Sequence, residues 1–485
     1  MKIVLSLLLL LCCSVAIAQQ DIYQSFEVDS AATPRGGITT FNTFLQANLR
    51  KPILAESKGI GGVVVVNGIV EPDGHVSSVT LIKSIRPDCD REAIRVFSLY
   101  RAWKPAQKAG KVVRQQISMP IVFKPNTPFS YEHGEKITYL DADINILPDS
   151  NQRVKFKEVS PLDTNGLPTD DLVLYKFINQ RWEEYARDTL VRIKNVQPDL
   201  AGQPSYSLGH QQALLKLNGD LYVVDATGKR LTASHYRTGK LFGQQFVYHA
   251  NGAIAERKEY DDNKQAIVSW YSNGQIQHVR ELITGSTLEP AVIEKVTSFW
   301  DSTGRQLVKN GNGWAEYSRK IKSYRDNSPE TSVVEQGVFK DYFKQGVWTG
   351  HYADSSYSYE EQYDKGVLIA GKSSLAGQEM TDYRVEDRMP VFSGGMLGLK
   401  QFLSQNLQYP IRAQQASVEG QVVVSFSVCT DGTLCDYEVI KSVQPDLDRE
   451  ALRVVKKTSG RWIPGIQHGK KVQVNYVMPV NFSLY

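Results

Sequence analysis

One stretch of this chain fits a nucleotide-binding pattern. Gly366, Gly371, Lys372 and Ser373 satisfy G-x4-G-K-[ST]. Such a loop wraps phosphate only where a buried strand leads in and a helix N-terminus leads out. Here the lead-in, Tyr359-Glu360-Glu361-Gln362-Tyr363-Asp364, is polar, and Ser374-Leu375-Ala376-Gly377 is no convincing helix start, so the match is read as chance. The eight histidines (His75, His133, His210, His235, His249, His278, His351 and His468) form no H-E-x-x-H and no closely spaced pair. They read as surface or half-buried residues rather than ligands. Asp261-Asp262 and Glu360-Glu361 read as solvated charge in turns or strands, and no G-x-S-x-G elbow is present. The expectation is a non-enzymatic chain with no metal and no cofactor.

A length of 485 residues suggests about three domains, and 41% hydrophobic residues is enough for packed cores. A net charge of +4 is small for this length and gives nucleic-acid binding no support. Residues 1–18, MKIVLSLLLLLCCSVAIA, place one lysine before an apolar run and end on Ala16-Ile17-Ala18. This is a secretory signal peptide, which predicts a periplasmic protein. An uncleaved inner-membrane anchor and a lipoprotein through Cys12 or Cys13 are the alternatives, the latter disfavoured by Leu11 before Cys12. Cleavage leaves Cys89, Cys429 and Cys435. The last two flank a turn and are a candidate disulfide, although a two-residue turn would not obviously set them opposite each other.

Residues 392–485 form the most regular stretch. Val422, Val424, Phe426 and Val428 alternate with Val423, Ser425 and Ser427, which predicts a strand with one apolar face. Asp431-Gly432 predicts a tight two-residue hairpin turn, and Leu434, Tyr437, Val439 and Ile440 a returning strand. Leu447, Ala451, Leu452, Val454 and Val455 share one side of a helix, with Asp446 as expected N-cap. Val472, Val474, Tyr476, Met478, Val480 and Phe482 alternate in a long last strand, spanning 470–484. The pattern is ββαβ.

These residues resemble the C-terminal domain of TonB. The resemblance rests on Gln408-Tyr409-Pro410 with Arg412 to Gln414, Glu419-Gly420-Gln421-Val422, Asp431-Gly432, the Leu447/Ala451 helix, and Trp462 with Pro464. It implies a periplasmic domain that binds the TonB box, a short extended segment of outer-membrane receptors, by adding it as a strand to an open sheet edge. The residues expected to carry binding are Gln408, Tyr409, Pro410, Arg412, Val472, Val474, Tyr476 and Met478. Nothing follows the last strand to cover it. The alternatives are that the edge pairs in a homodimer, or is blunted by Lys470 and Lys471.

Residues 34–124 repeat this module. A shift of 358 places Gly36-Gly37 on Gly394-Gly395, Pro52 on Pro410, Asp73-Gly74 on Asp431-Gly432, and Asp90-Arg91-Glu92-Ala93 on Asp448-Arg449-Glu450-Ala451. After one extra residue, Trp103 falls on Trp462, Met119-Pro120 on Met478-Pro479 and Phe123 on Phe482. The two tryptophans are expected to plug the ends of their cores. Lys51 stands for Tyr409, Gln115 for Val474 and Ile117 for Tyr476, so the first copy keeps the fold with a changed peptide preference or serves as another docking surface. Cys89 replaces Leu447 and reads as a small core residue.

Residues 127–390 differ in texture. Phe246 to Ile254 recurs 22 residues later as Val268 to Ile276, each with Asn-Gly at its turn. Related turns are read at Asp225 to Lys229, Arg237 to Lys240, Trp300 to Gly304, Gly346 to Gly350 and Tyr363 to Gly366, while 151–200 fits least well. This region resembles MORN-type repeats in the variant of YwqK-family antitoxin proteins, which implies stacked hairpins and an interaction or spacer role. The fold class is therefore α+β: two TonB-like ββαβ domains (34–124, a degenerate copy, and 392–485) flanking a β-rich hairpin-repeat, MORN-like region.

The functional expectation is a periplasmic adaptor that captures the TonB-box-like segment of a TonB-dependent outer-membrane receptor. The alternative is a non-transducing envelope scaffold that self-associates through the same modules. An ExbB/ExbD-type proton channel is a partner only if the N-terminus stays anchored in the membrane, since no Pro-rich span follows it.

Overall fold

The protein, as a computed structural model, is described over residues 21–147, 153–195, 204–211, 217–237, 239–261, 264–284, 292–321, 323, 330–376, 378–384 and 387–484. The candidate signal peptide at 1–18 lies outside the described residues.

Each end module is built on a central strand with an antiparallel neighbour on either side. Gly420–Val428 lies between Leu434–Lys441 and Val474–Phe482. Gly62–Val70 lies likewise between Val76–Lys83 and Lys111–Phe123. The helix Pro445–Lys456 lays Leu447, Ala451, Val454 and Val455 on the strands, a spacing that keeps one helical face inward. Pro87–Leu99 does the same with Cys89, Ala93, Val96 and Phe97. Burial pushes the Cys89 thiol up to about 11, as expected of a packed rather than reactive cysteine.

Four details of the sequence reading change. Two helices precede the strands in each copy, Ile38–Asn48 and Ile53–Ser57, then Gly395–Asn406 and Ile411–Gln415, so the module is larger than ββαβ. The N-cap is Gln444, with no side-chain cap bond; Pro445 occupies the first turn, and Asp446 pairs with Arg449. The carboxylate that fixes the helix entry belongs to Asp448, which accepts from Ser442 Oγ at 2.5 Å and the Val443 N–H at 3.1 Å; Ser84, Ile85 and Asp90 repeat this in the first copy. The hairpin turn has three residues, not two. The Cys429 N–H donates to the Thr433 carbonyl and the Gly432 N–H to the Cys429 carbonyl, with Gly432 at φ +83°. That geometry is a turn followed by a left-handed residue, which glycine supplies. Cys429 and Cys435 form a disulfide, although their partners across the hairpin are Thr433 and Ser427. Finally, Ser425 and Ser427 are as buried as the valines, so both faces of the central strand are covered.

Between the modules runs one long antiparallel meander. Glu135–Leu140 pairs with Phe156–Pro161, that strand with Leu172–Ile178, and the pairing continues strand to strand to Thr381–Tyr383. Several of its turns repeat the three-residue Cys429 pattern. At Asp225, His249, Tyr271 and Asp301 the N–H of the first residue bonds the carbonyl four residues on, and a glycine follows at positive φ. One expected turn is a strand. Gly346 to Gly350 lies inside Phe343–Tyr352, because Gly350 pairs with Tyr359, whose ring sits where a β-carbon would be, 2.0 Å away. The same packing accounts for the nucleotide-loop pattern. Val367–Leu375 is a strand, and a β-carbon on Gly371 would stand 2.3 Å from the Tyr383 ring. Glycine is required there by an aromatic neighbour, not by a phosphate.

The modules dock on this ladder by different chemistry. The first shares a hydrophobic core with it, since Ala253, Ile254, Trp270 and Ile276 are buried in one cluster with Phe41, Phe44 and Phe97. The second has a core made of its own residues. It meets the ladder through polar groups: Lys441 Nζ donates to Gln211 Oε1 at 2.9 Å, and His468 Nδ1 lies 2.9 Å from Glu361 Oε1. These contacts touch strands far apart in sequence, so the ladder curls around the second module.

Candidate functional site

The sheet edge expected to take a peptide is formed by Val474–Phe482. It pairs along its whole length with Gly420–Val428, and no second strand lies on it among the described residues. It is shorter than 470–484. Lys470–Val472 folds back on Gly465–Gln467 around His468 and Gly469, both at positive φ, and the ladder is broken at Gln473, whose side chain donates to Asp436 at 3.0 Å. Lys470 and Lys471 therefore lie in this small hairpin and do not blunt the open stretch.

Proline 479 explains which backbone groups are free. It stands opposite Val423 within the strand. Proline lacks an N–H and is accommodated in a strand where its nitrogen faces away from the ladder. Residues of the same parity, Asn475, Val477 and Asn481, then turn their N–H and C=O groups outward. Asn475 and Asn481 are exposed, and Val477 is 46% exposed. None of these was singled out from the sequence; the Met478-Pro479 step was the available signal.

The expected site residues are not gathered in one place. Met478 is buried, and Tyr476 stacks on Phe426 at 5.6 Å and meets Trp462 at 4.9 Å, so both support the edge from beneath. Trp462 is buried as expected, its Nε1 donating to Thr458 Oγ1 at 3.1 Å. Val474 begins the open stretch, while Val472 pairs with Gly465 outside it. Tyr409 is at the opposite end, edge-on to Phe482 at 5.6 Å, with its hydroxyl donating to the Val418 carbonyl at 2.6 Å. Eight residues of strand, roughly 26 Å at about 3.3 Å each, separate that end from Val474. Burial and Glu419 raise the Tyr409 hydroxyl above the ordinary tyrosine value. Pro410 begins the helix Ile411–Gln415, and Gln408 and Arg412 are exposed beside it. An added strand would thus meet main chain along Val474–Phe482 and reach Tyr409, Pro410 and Arg412 only at its far end.

The first module treats its equivalent edge differently. Ile22–Tyr23 lies parallel on Lys111–Phe123 at Arg114 and Gln115. Gln24 Nε2 donates to Gln116 Oε1 at 3.2 Å, and the Ala32 N–H to the buried Gln115 Oε1 at 2.6 Å. In the second module the corresponding segment, Thr381–Tyr383, pairs with Gly371–Ser373 of the ladder instead.

Sequence reading also missed a buried polar cluster under the second module. Glu361 is 4% exposed and accepts from Tyr363 at 2.8 Å, Tyr383 at 2.7 Å and the His468 ring. Glu335, also buried, accepts from Tyr359 at 2.6 Å and pairs with Arg319 at 3.0 Å. Glu361 is thus not solvated, and His468, stacked on Tyr359 at 3.7 Å, is not a surface histidine. An isolated Glu-Glu pair in a polar strand carries no signal of a partner a hundred residues away. Among the described residues no group of three or more His, Cys, Asp or Glu is placed to hold a metal ion, and no helix is long and apolar enough to cross a membrane.

With this geometry in view, comparison with known proteins adds a family. Residues 48–125 and 405–484 each match the family of the Gram-negative bacterial TonB protein C-terminal domain. The chain therefore carries two TonB C-terminal modules, with residues 126–404 outside the match. Two NMR solution structures of the Helicobacter pylori TonB C-terminal domain are similar at 27% identity. One aligns with 19% of this chain and 80% of its own length, the other with 18% and 92%, each at a TM-score of 0.16. No curated protein matches the chain.

Proposed function

We propose that this is a TonB-like protein of the cell envelope whose second module captures an extended peptide, the TonB-box-like segment of an outer-membrane receptor, by adding it as a strand to Val474–Phe482. The observation that carries the reading is the one-sided pairing of that strand, beside a first module whose equivalent edge is already held by Ile22–Tyr23. Main-chain bonds to Asn475, Val477 and Asn481 would supply affinity, and Tyr409, Pro410 and Arg412 would shape one end. The ladder, read as MORN-like hairpin repeats, is a spacer that holds the two modules apart. The signal peptide read at 1–18 would place the chain in the periplasm as an adaptor, with a proton channel of the ExbB/ExbD type as partner only if that segment is retained.

The test is titration of the full chain with synthetic N-terminal segments of receptors from the same cell, against Val477→Pro. That change removes an outward N–H without altering the core face. Saturable binding lost in Val477→Pro, with an unchanged melting temperature, supports capture. Binding equal in both chains overturns it. Concentration-dependent dimerisation that disappears in Val477→Pro, with no peptide bound, would instead favour the self-associating scaffold.

A further inference from the structure

A cavity of about 1010 Å³ lies between the first module and the early ladder. Its walls carry seven cations (Arg50, Lys51, Arg91, Arg95, Lys136, Lys229 and Arg230) and four carboxylates (Glu56, Asp88, Glu92 and Asp220). The excess of three positive charges compares with a net +4 for the whole chain. That excess already counts all four carboxylates, three of which have partners. Glu92 is held by Arg95 at 2.6 Å, Asp88 by Arg86 at 2.6 Å, and Asp220 by His235 at 2.8 Å.

Five other cations contact neutral groups, with Glu92, Asp225 and Glu158 close to Arg50, Lys229 and Lys136. Arg50 lies over the Tyr248 ring at 5.0 Å and donates to the Gly252 carbonyl at 3.2 Å. Arg230 lies over Tyr222 at 4.9 Å and donates to the Asn165 carbonyl. Lys51 donates to the Lys124 carbonyl at 2.8 Å, Lys229 to that of Ala250, and Lys136 covers the Phe129 ring at 4.7 Å. Burial first, then Arg95 and Arg230, lowers the Arg50 guanidinium below its ordinary value against the opposing pull of Tyr248 and Glu92.

The second module shows that this charge is not needed for the fold. There Glu450 accepts the Gln408 N–H at 2.6 Å and Arg453 donates to the Asn406 carbonyl at 2.7 Å. Glu92, the Arg50 N–H, Arg95 and the Asn48 carbonyl repeat the same bonds. On that shared scaffold Gln408-Tyr409 is replaced by Arg50-Lys51, the pair that faces the cavity.

We propose that this cavity binds a compact oxyanion ligand carrying two or more phosphate or carboxylate groups, held between Arg50 and Lys51 of the module and Lys229 and Arg230 of the ladder. Guanidinium forks suit such oxyanions, and the volume suits a small molecule. The site is independent of the peptide edge.

The experiment is calorimetric titration of the full chain at low salt with tripolyphosphate and, separately, citrate. Saturable binding of either is expected, and the tighter of the two assigns phosphate or carboxylate. Arg50→Gln and Arg230→Gln should each weaken it about tenfold or more, as loss of a charge-assisted bond implies. Arg187→Gln, which removes an exposed cation paired with Glu184 and Asp171 elsewhere on the ladder, should leave it unchanged. No saturable binding of either anion, equal weakening by all three variants, or a tetraglutamate peptide binding more tightly than both probes would overturn the assignment.

Discussion

Replacing Glu361 by alanine tests whether the second module is held on the ladder by buried polar chemistry. The carboxylate accepts three bonds, from Tyr363, Tyr383 and His468, at 2.7 to 2.9 Å. Its removal leaves two hydroxyls and a ring nitrogen in a site that water scarcely reaches. An unsatisfied buried donor costs about 1–3 kcal/mol, and removal of one partner from a buried charged pair about 3–5 kcal/mol. These figures describe the same event, so about 3–4 kcal/mol is expected in total. Because the module's core contains no ladder residue, the loss should appear as undocking before unfolding. Hydrogen exchange should quicken at Gly465–Val472 and Tyr357–Asp364 while Gly420–Val428 stays protected. Acid should act in the same direction. Burial raises the Glu361 carboxyl, but bonds from His468, Tyr383 and Tyr363 outweigh it and leave it below the ordinary glutamate value. Glu335 is lowered likewise, its burial outweighed by Lys344 and Arg319. A lowered folded-state value contributes stability that is complete above the unfolded value, about 4.5, and is lost as pH falls through the folded one. Docking should therefore be insensitive to pH from 7 to about 5 and weaken below, with a shallower acid limb in Glu361→Gln. Unchanged exchange at both segments in Glu361→Ala, or stability within about 0.5 kcal/mol of the parent, would refute the reasoning.

Three further outcomes follow from local geometry. Gly432→Ala should destabilise the second module more than Gly252→Ala destabilises the ladder. Both need positive φ, a cost of about 1–2 kcal/mol, but only at Gly432 would the new carbon meet a carbonyl oxygen, that of Trp462 at 2.3 Å; equal shifts in denaturant midpoint would contradict this. Reduction of Cys429–Cys435, six positions apart, should lower the second module's stability by about 2 kcal/mol on loop-closure grounds, read by urea unfolding with and without reductant. Deleting residues 21–24 should speed amide exchange at Arg114 to Gln116, which Ile22–Tyr23 and Gln24 now cover; unaltered exchange there would mean that these residues do not protect the edge.

The end modules were legible because their signals are local. Val422 to Val428 alternates, Leu447 to Val455 keeps a helical spacing, and the 358-residue repeat doubles every observation. The helix Gly395–Asn406 is hard to read because its apolar face is weak, with only Leu399 buried, whereas Ile38–Asn48, which buries Phe41, Phe44 and Leu45, carried a signal that was overlooked. The hairpin turn was recognised but shortened by one residue, since Asp-Gly serves two- and three-residue loops alike. Long-range polar pairing left no trace at all. Nothing around Glu361 announces His468, and nothing in Arg50-Lys51 announces Arg230, because those contacts depend on how the ladder curls rather than on any local period.

The two modules share a scaffold to the level of single hydrogen bonds, so their differences should mark where roles diverge. The preceding chain makes the clearest difference. Before the first module it lies on the last strand and occupies part of its edge; before the second it joins the ladder at Gly371–Ser373 and leaves the edge bare. An unpaired edge is an aggregation hazard that proteins ordinarily cover, and this chain contains the means of covering it, used once. The bare edge of Val474–Phe482 is also the one whose first residues follow the hairpin anchored by His468 on Glu361. Docking of the second module and presentation of its edge are thus mechanically adjacent. A chain in which Glu361→Ala undocks the module but leaves peptide affinity intact would show that the edge works alone, and that the ladder only sets where it stands.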